Sequence, residues 1–180
     1  DKGKVLMERV YVSGRLNGVA RRWSEETLEL IYEATYKHGY RIGKEIEYYP
    51  NKQIAKISIY SNQERSKKVI AYTEKGEISF EATYQNGLLE GLVKESKTTE
   101  SFSTESSYKH GKKEGESKTF YKPSQKLRSK ENYKNNLLEG EYAEYYENGK
   151  IKTKGQYKSG KKTGSWYFYD EEGKEQIEKF

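Results

Sequence analysis

The sequence predicts an all-β fold: one elongated antiparallel meander sheet of stacked β-hairpins, repeating about every 24 residues. Three observations predict it. Tyrosine recurs as Tyr11, Tyr36, Tyr60, Tyr84, Tyr108, Tyr133 and Tyr157, at spacings of 24 or 25 residues. Seven residues after these stand Gly18, Gly43, Lys67, Gly91, Gly115, Gly140 and Gly164, glycine in six of seven copies. Leu, Ile, Val and Phe together supply only 31 of 180 residues, too few for a thick aliphatic core, while aromatics at 14% carry much burial per residue.

Each copy reads as a strand, a turn and a second strand. The chain opens at a hairpin turn, because Gly3-Lys4 precedes Tyr11 by the interval that separates Gly149-Lys150 from Tyr157. This gives a half repeat and then seven full ones, a single array over residues 1–180 with no room for a separate domain at either end. The chain begins with Asp, so an upstream segment is expected to have been removed. In the second copy, Glu25 to Ala34 fits turn plus strand, and Tyr36 to Gly43 forms a longer turn with glycines where the chain bends. The third copy carries Gln63 and Lys67 in place of both glycines, and the fourth breaks its aromatic pair with Ser96 and Lys97. Glu74-Lys75-Gly76 and Glu171-Glu172-Gly173 occupy the place of the tight turn between a copy's strands, where Pro50-Asn51 and Pro123-Ser124 substitute other turn chemistry. The strongest short hairpin signal is Asn148-Gly149, between Gly140–Tyr146 and Lys150–Tyr157, where both central residues tolerate positive φ. About 15 strands at roughly 4.8 Å spacing make a sheet on the order of 70 Å long, which must twist.

Alternate strand residues share a face. Six residues before each Tyr the chain is apolar (Val5, Leu30, Ile54, Ile78, Phe102, Leu127, Ile151), and twelve after it is mostly aromatic (Trp23, Tyr48, Tyr72, Ser96, Phe120, Tyr145, Tyr169). Both intervals are even, so these phases are expected beside Tyr on one apolar face, leaving Lys, Glu, Ser and Thr on the other.

The pattern Tyr-x-x-Gly-x-x-x-Gly-x-x-x-x-Tyr-Tyr-x-x-Gly resembles the MORN repeat, and is similar to its bacterial, antitoxin-type variant. Tyr133 to Lys150 and Tyr157 to Tyr169 are the clearest copies. On this resemblance Tyr36, Gly43, Tyr84, Gly91, Tyr108, Gly115, Tyr133, Gly140, Tyr157 and Gly164 define the repeat.

Chemistry is sparse. The absence of Cys excludes disulfides, thiolate metal sites and cysteine nucleophiles. The two histidines, His38 and His110, share a repeat phase and read as turn residues three repeats apart, too distant for one metal or substrate. Glu25-Glu26 and Glu171-Glu172 point apart. Glu90, Glu114 and Glu139 share the phase before a glycine and read as a solvated stripe rather than an acid–base pair. Asp occurs only as Asp1 and Asp170, so no oxygen-rich metal loop assembles. Gly160-Lys161-Lys162-Thr163-Gly164 lacks phosphate-loop spacing and a following helix. We therefore expect no enzyme, cofactor or metal. The longest stretch without a charged residue, Ala82 to Leu89, is far too short for a membrane helix.

The net charge of +6 is modest, but two stretches lack acids. One holds Lys118, Lys122, Lys126, Arg128 and Lys130. The other holds Lys150, Lys152, Lys154, Lys158, Lys161 and Lys162, the candidate partner or anion contact. The tyrosines coincide with the fold-defining period, which argues against nucleic-acid stacking as their purpose. The expected function is a non-catalytic scaffold binding a partner protein. The resemblance implies an antitoxin- or immunity-like role acting by occlusion. The alternative is peripheral association with an anionic membrane through the lysines. The open sheet edges also allow edge-to-edge dimerisation, and the compartment is left open between cytoplasm and cell envelope.

Overall fold

The computed structural model describes residues 3–96 and 98–180; Asp1, Lys2 and Lys97 lie outside the described residues. The chain divides into two compact units, Asp1–Leu88 and Leu89–Phe180. The first holds β1 (Met7–Glu8), β2 (Tyr11–Val12), β3 (Arg15–Leu16), β4 (Gly18–Trp23), β5 (Leu30–Lys37), β6 (Tyr40–Tyr48), β7 (Ile54–Ser61), β8 (Ser66–Tyr72) and β9 (Ile78–Gln85). After β10 (Leu88–Leu89), the second holds β11 (Gly91–Glu95), β12 (Phe102–Lys109), β13 (Lys112–Tyr121), β14 (Leu127–Lys134), β15 (Leu137–Tyr145), β16 (Ile151–Lys158), β17 (Lys161–Tyr169) and β18 (Glu175–Lys179). Among the described residues there is no helix, and 16 of these strands form one antiparallel meander sheet. The remaining two, β2 and β3, pair as a separate ribbon. Tyr11 of the first copy therefore stands in that ribbon and is exposed. Two residues before it is Arg9, where most other copies have a small residue, and the strand breaks at Arg9 and Val10.

The turns differ from expectation in kind. The tight two-residue turns follow six of the seven repeat tyrosines, where a longer turn was expected; after Tyr60 four residues, Asn62 to Arg65, make the turn. His38-Gly39, Asn86-Gly87, His110-Gly111, Asn135-Asn136 and Ser159-Gly160 all have two successive positive φ angles, the signature of a type I′ hairpin turn. Both histidines are thus turn residues. At the opposite strand ends five or six residues separate the strands. Gly149 takes positive φ but Asn148 does not, and the Tyr146 and Lys150 backbones close the loop with an N–H···O bond of 2.9 Å. Asn-Gly here builds a type I turn with a bulge instead of a two-residue turn.

The second repeat glycine is not a turn residue either. Gly43, Gly115, Gly140 and Gly164 lie within strands, at positive φ, where the register of the hairpin shifts. They are bulge glycines. The third copy proves the point: with Lys67 at this phase, β7 and β8 pair without any shift.

A second bulge recurs five residues before the repeat Tyr. Ile31, Ala55, Ser79, Arg128 and Lys152 are each skipped by the neighbouring strand's register. One extra residue reverses the alternation of side chains beyond it. This overturns the one-apolar-face expectation. The repeat tyrosines share the inner face with a buried row of mostly small residues, while the phases six before and twelve after Tyr pair with one another on the outer face. Tyr48·Ile54 and Tyr72·Ile78 do so in the first unit, Phe120·Leu127 and Tyr145·Ile151 in the second. Ile78 and Ile151 are accordingly exposed.

The inner row lies two residues before Tyr and nine after it. In the first unit it runs Ala20, Ala34, Glu45, Ser58, Val69, Ala82, all buried. In the second it includes Val93, Ser106 and Ser117, whose two serine hydroxyls hydrogen-bond at 2.8 Å. It ends where Trp166, 1% exposed, lies flat on Gly155. A Cβ on Gly155 would fall 2.3 Å from the indole ring, so only glycine fits. Tyr142 and Tyr157 close around the indole at 5.5 and 5.0 Å between centroids.

Candidate binding surfaces

The acids expected on a solvated stripe have a structural task. Glu90, Glu114 and Glu139 each accept a hydrogen bond from a backbone N–H in the next copy's turn, at His110 (2.8 Å), Asn135 (2.8 Å) and Ser159 (2.6 Å). Beside them, the turn N–H groups of Gly111, Asn136 and Gly160 donate to the carbonyls of Leu89, Lys113 and Leu138. At the other strand ends, the Tyr121 and Tyr146 hydroxyls donate to the carbonyls of Tyr145 and Tyr169 one copy later. Each copy is stitched to the next at both ends of its strands.

The first unit carries a charged cluster on its inner face. Glu45, 5% exposed, replaces the small or apolar residue of other copies. Its carboxylate accepts from Arg41 Nη1 (2.7 Å), the Tyr32 hydroxyl (3.1 Å) and the Tyr60 hydroxyl (3.2 Å). Arg41 also forks onto Glu64, whose Oε1 accepts the Arg41 backbone N–H as well. The Arg41 hydrogen bond holds the Glu64 carboxyl below its usual range. Burial, then the neighbouring Glu45 charge, pushes the Tyr60 phenol up to about 12. Burial also raises Tyr32. The cluster lines an open depression of about 500 Å³ in which every named group already has its partner.

The six candidate lysines do not form one surface. Lys152 is a bulge residue, which turns it to the inner face, where it donates to Glu144 at 3.3 Å. Arg128, the bulge residue two strands earlier, reaches the same carboxylate at 3.3 Å and covers the Phe102 ring. Lys162 also faces inward, its Nζ held over Trp166, Phe168 and Phe180 at 4.3, 5.2 and 4.8 Å from the ring centres. Lys158 and Lys161 are cross-strand partners flanking the Ser159-Gly160 turn. Lys150 stands at the opposite strand end and donates to the Glu171 carbonyl. Lys154 lies on the outer face in the body of the sheet, and Lys158 shares that face at the very end of β16.

There it belongs to a cross-strand row invisible to a linear reading: Lys118, Lys130, Ala143, Lys154, Tyr167, Ile177. Lys118 and Lys130 share the single carboxylate of Glu116, at 2.5 and 2.7 Å, which lowers the Glu116 pKa. Lys154 has no carboxylate partner among the described residues and hovers over Tyr167 and Tyr169 at 5.0 and 5.7 Å. The Tyr145·Ile151 pair flanks it. Lys130, Ala143, Tyr145, Ile151, Lys154 and Tyr167 line an open groove of about 650 Å³, whose one acid is Glu141. Surplus positive charge beside half-buried phenols and the exposed Ile151 suits an acidic, partly apolar surface.

The sequence profile of the MORN repeat variant matches the chain twice, at residues 41–62 and 138–159. No curated protein matches it. Both matched segments span a second strand, the loop after it and the following strand, the unit that the register repeats down the sheet. MORN repeats are associated in general with scaffolds that bind proteins or membrane lipids. The chain thus contains segments matching the MORN repeat variant at residues 41–62 and 138–159.

Proposed function

We propose that this protein is a non-catalytic scaffold that binds a partner protein, and that the outer face of the second unit is the contact. The observation that carries this reading is the Lys130–Lys154–Tyr167 row beside Tyr145·Ile151, where cations without full acid compensation adjoin half-buried aromatic rings and the exposed Ile151. An antitoxin- or immunity-like action is the specific form of this function: the sheet face covers the partner's working surface. The dispersal of the six lysines over two faces and both strand ends supports a protein contact over docking on a flat anionic membrane, which needs its cations on one side.

Affinity capture from the source cells, followed by a salt series, tests the proposal. A stoichiometric protein is expected that stays bound at raised salt and is lost, by about tenfold or more in affinity, when Tyr145 and Tyr167 are both replaced by Ala. Lys130→Gln with Lys154→Gln should mainly slow association at low salt. Recovery of anionic lipid alone, released by salt and by substitution of the lysines, would replace this reading with the membrane one.

A further inference from the structure

We propose that the outer face of the second unit receives an amphipathic helix of the partner protein, laid across the strands with two carboxylates seven residues apart. The proposal rests on the scaffold reading and names the shape and charge of what that face holds. At one phase across β13 to β17 the outer row runs Lys118, Lys130, Ala143, Lys154, Tyr167. Its three cations have two acids beside them, Glu116 between Lys118 and Lys130 and Glu141 in the groove, so one positive charge is left over. The surplus falls at Lys154, whose ammonium lies over the Tyr167 and Tyr169 rings and has no carboxylate partner among the described residues. Between Lys130 and Lys154 the side chain is only the methyl of Ala143, which leaves room in the groove for an incoming side chain. Tyr145 and Ile151 form an apolar wall along it.

The spacing selects a helix. Neighbouring strands stand roughly 4.8 Å apart, so Lys130 and Lys154 are about 9.6 Å apart along the row, with Ala143 midway and Tyr167 about 14.4 Å from Lys130. Residues i, i+3, i+7 and i+10 of a helix lie on one face, at about 0, 4.5, 10.5 and 15 Å along its axis. Acids at i and i+7 then meet Lys130 and Lys154. A large apolar residue at i+3 enters the space over Ala143, and one at i+10 rests on Tyr167. An extended strand laid the same way returns to one face only about every 6.7 Å, so its side chains come to about 6.7 and 13.4 Å and miss Lys154. Contact across four strands buries less than roughly 1,200 Å², which makes the helix a weak and exchangeable ligand.

Fluorescence anisotropy with the 180-residue chain reads the result, using two synthetic capped helical peptides of about 18 residues in an Ala/Gln host. The first carries Glu at i and i+7 and Leu at i+3 and i+10; its isomer has the second Glu moved to i+5, off the binding face. The first is expected to bind at least about tenfold more tightly than the isomer. Ala143→Glu places a carboxylate between Lys130 and Lys154 as a favourable cross-strand neighbour, so the melting temperature should hold or rise. The same variant should weaken the first peptide about tenfold or more, and Ala143→Gln, of equal size without the charge, should weaken it less. Equal binding of the two peptides, binding of neither, or indifference to Ala143→Glu would each overturn the proposal. So would binding only to vesicles of phosphatidylserine and phosphatidylcholine, which would remove the scaffold reading as well. A captured partner protein that is lost with the Tyr145 and Tyr167 replacements but ignores Ala143→Glu would overturn the helix and leave the scaffold reading standing.

Discussion

The Gly155–Trp166 contact shows how one residue type can be imposed by its neighbour rather than by its own backbone. Gly155 has an ordinary strand conformation, and the constraint is the indole ring in the space a Cβ would occupy. Gly155→Ala should lower stability by about 1–3 kcal/mol, through overpacking at a site that cannot open without exposing Trp166. Gly140 is the converse case, with open space around it and a φ of 86°. Gly140→Val should cost at least about 1–2 kcal/mol from backbone strain alone, against almost nothing for exposed Lys158→Ala. Chemical denaturation of the three variants checks the order. Titration supplies a residue-scale prediction at each end of the pH range. Tyr60, Tyr133 and Tyr142 are each pushed from 10 to about 12, chiefly by burial. The native state therefore holds these protons more tightly, and the stability this contributes, complete below pH 10, should vanish as pH rises toward 12. Glu64 is shifted the other way by Arg41, so its contribution exists above its ordinary value of 4.5 and is lost as pH falls through the depressed one. The difference in melting temperature between the parent and Glu64→Gln should accordingly shrink on acidification.

An element of this sheet is a strand interrupted at fixed places, and the interruptions decide what each side chain faces. The hairpin period was legible because tyrosine and glycine mark it. So was the strand character of the copies, including the turn and strand over Glu25 to Ala34, though not which turns are tight. The faces were not, because the residue inserted at the recurring bulge is Ile31, Ala55, Ser79, Arg128 or Lys152, a set with no common chemistry. Counting by twos across an unmarked insertion puts everything beyond it on the wrong side. One signal was present and unused. The phase two before Tyr holds Ala34, Ser58, Ala82, Ser106 and Gly155, five small residues in seven copies, and it proves to be the buried row. At this scale the stitching of copies is testable: Glu139→Ala should cost about 1 kcal/mol and hasten hydrogen exchange at the Ser159 amide, leaving amides in the body of β16 protected.

Across the whole molecule, the linear grouping of lysines was a poor guide to surface. Six cations close in sequence are divided between faces and strand ends by one bulge and one two-residue turn. Lys130 and Lys154, 24 residues apart, stand in one row because the period brings them there. The candidate contact therefore has to be read across copies at constant phase. The carboxylate stitches give the array a polarity as well. In every such pair the acceptor, Glu90, Glu114 or Glu139, belongs to the earlier copy and the donor turn to the later one. As the chain leaves the ribosome amino end first, the receiving half of each of these three carboxylate joints is made before the half that must find it. Each new hairpin then docks on a finished template, and assembly can advance with translation without any strand waiting for a partner still to be synthesised.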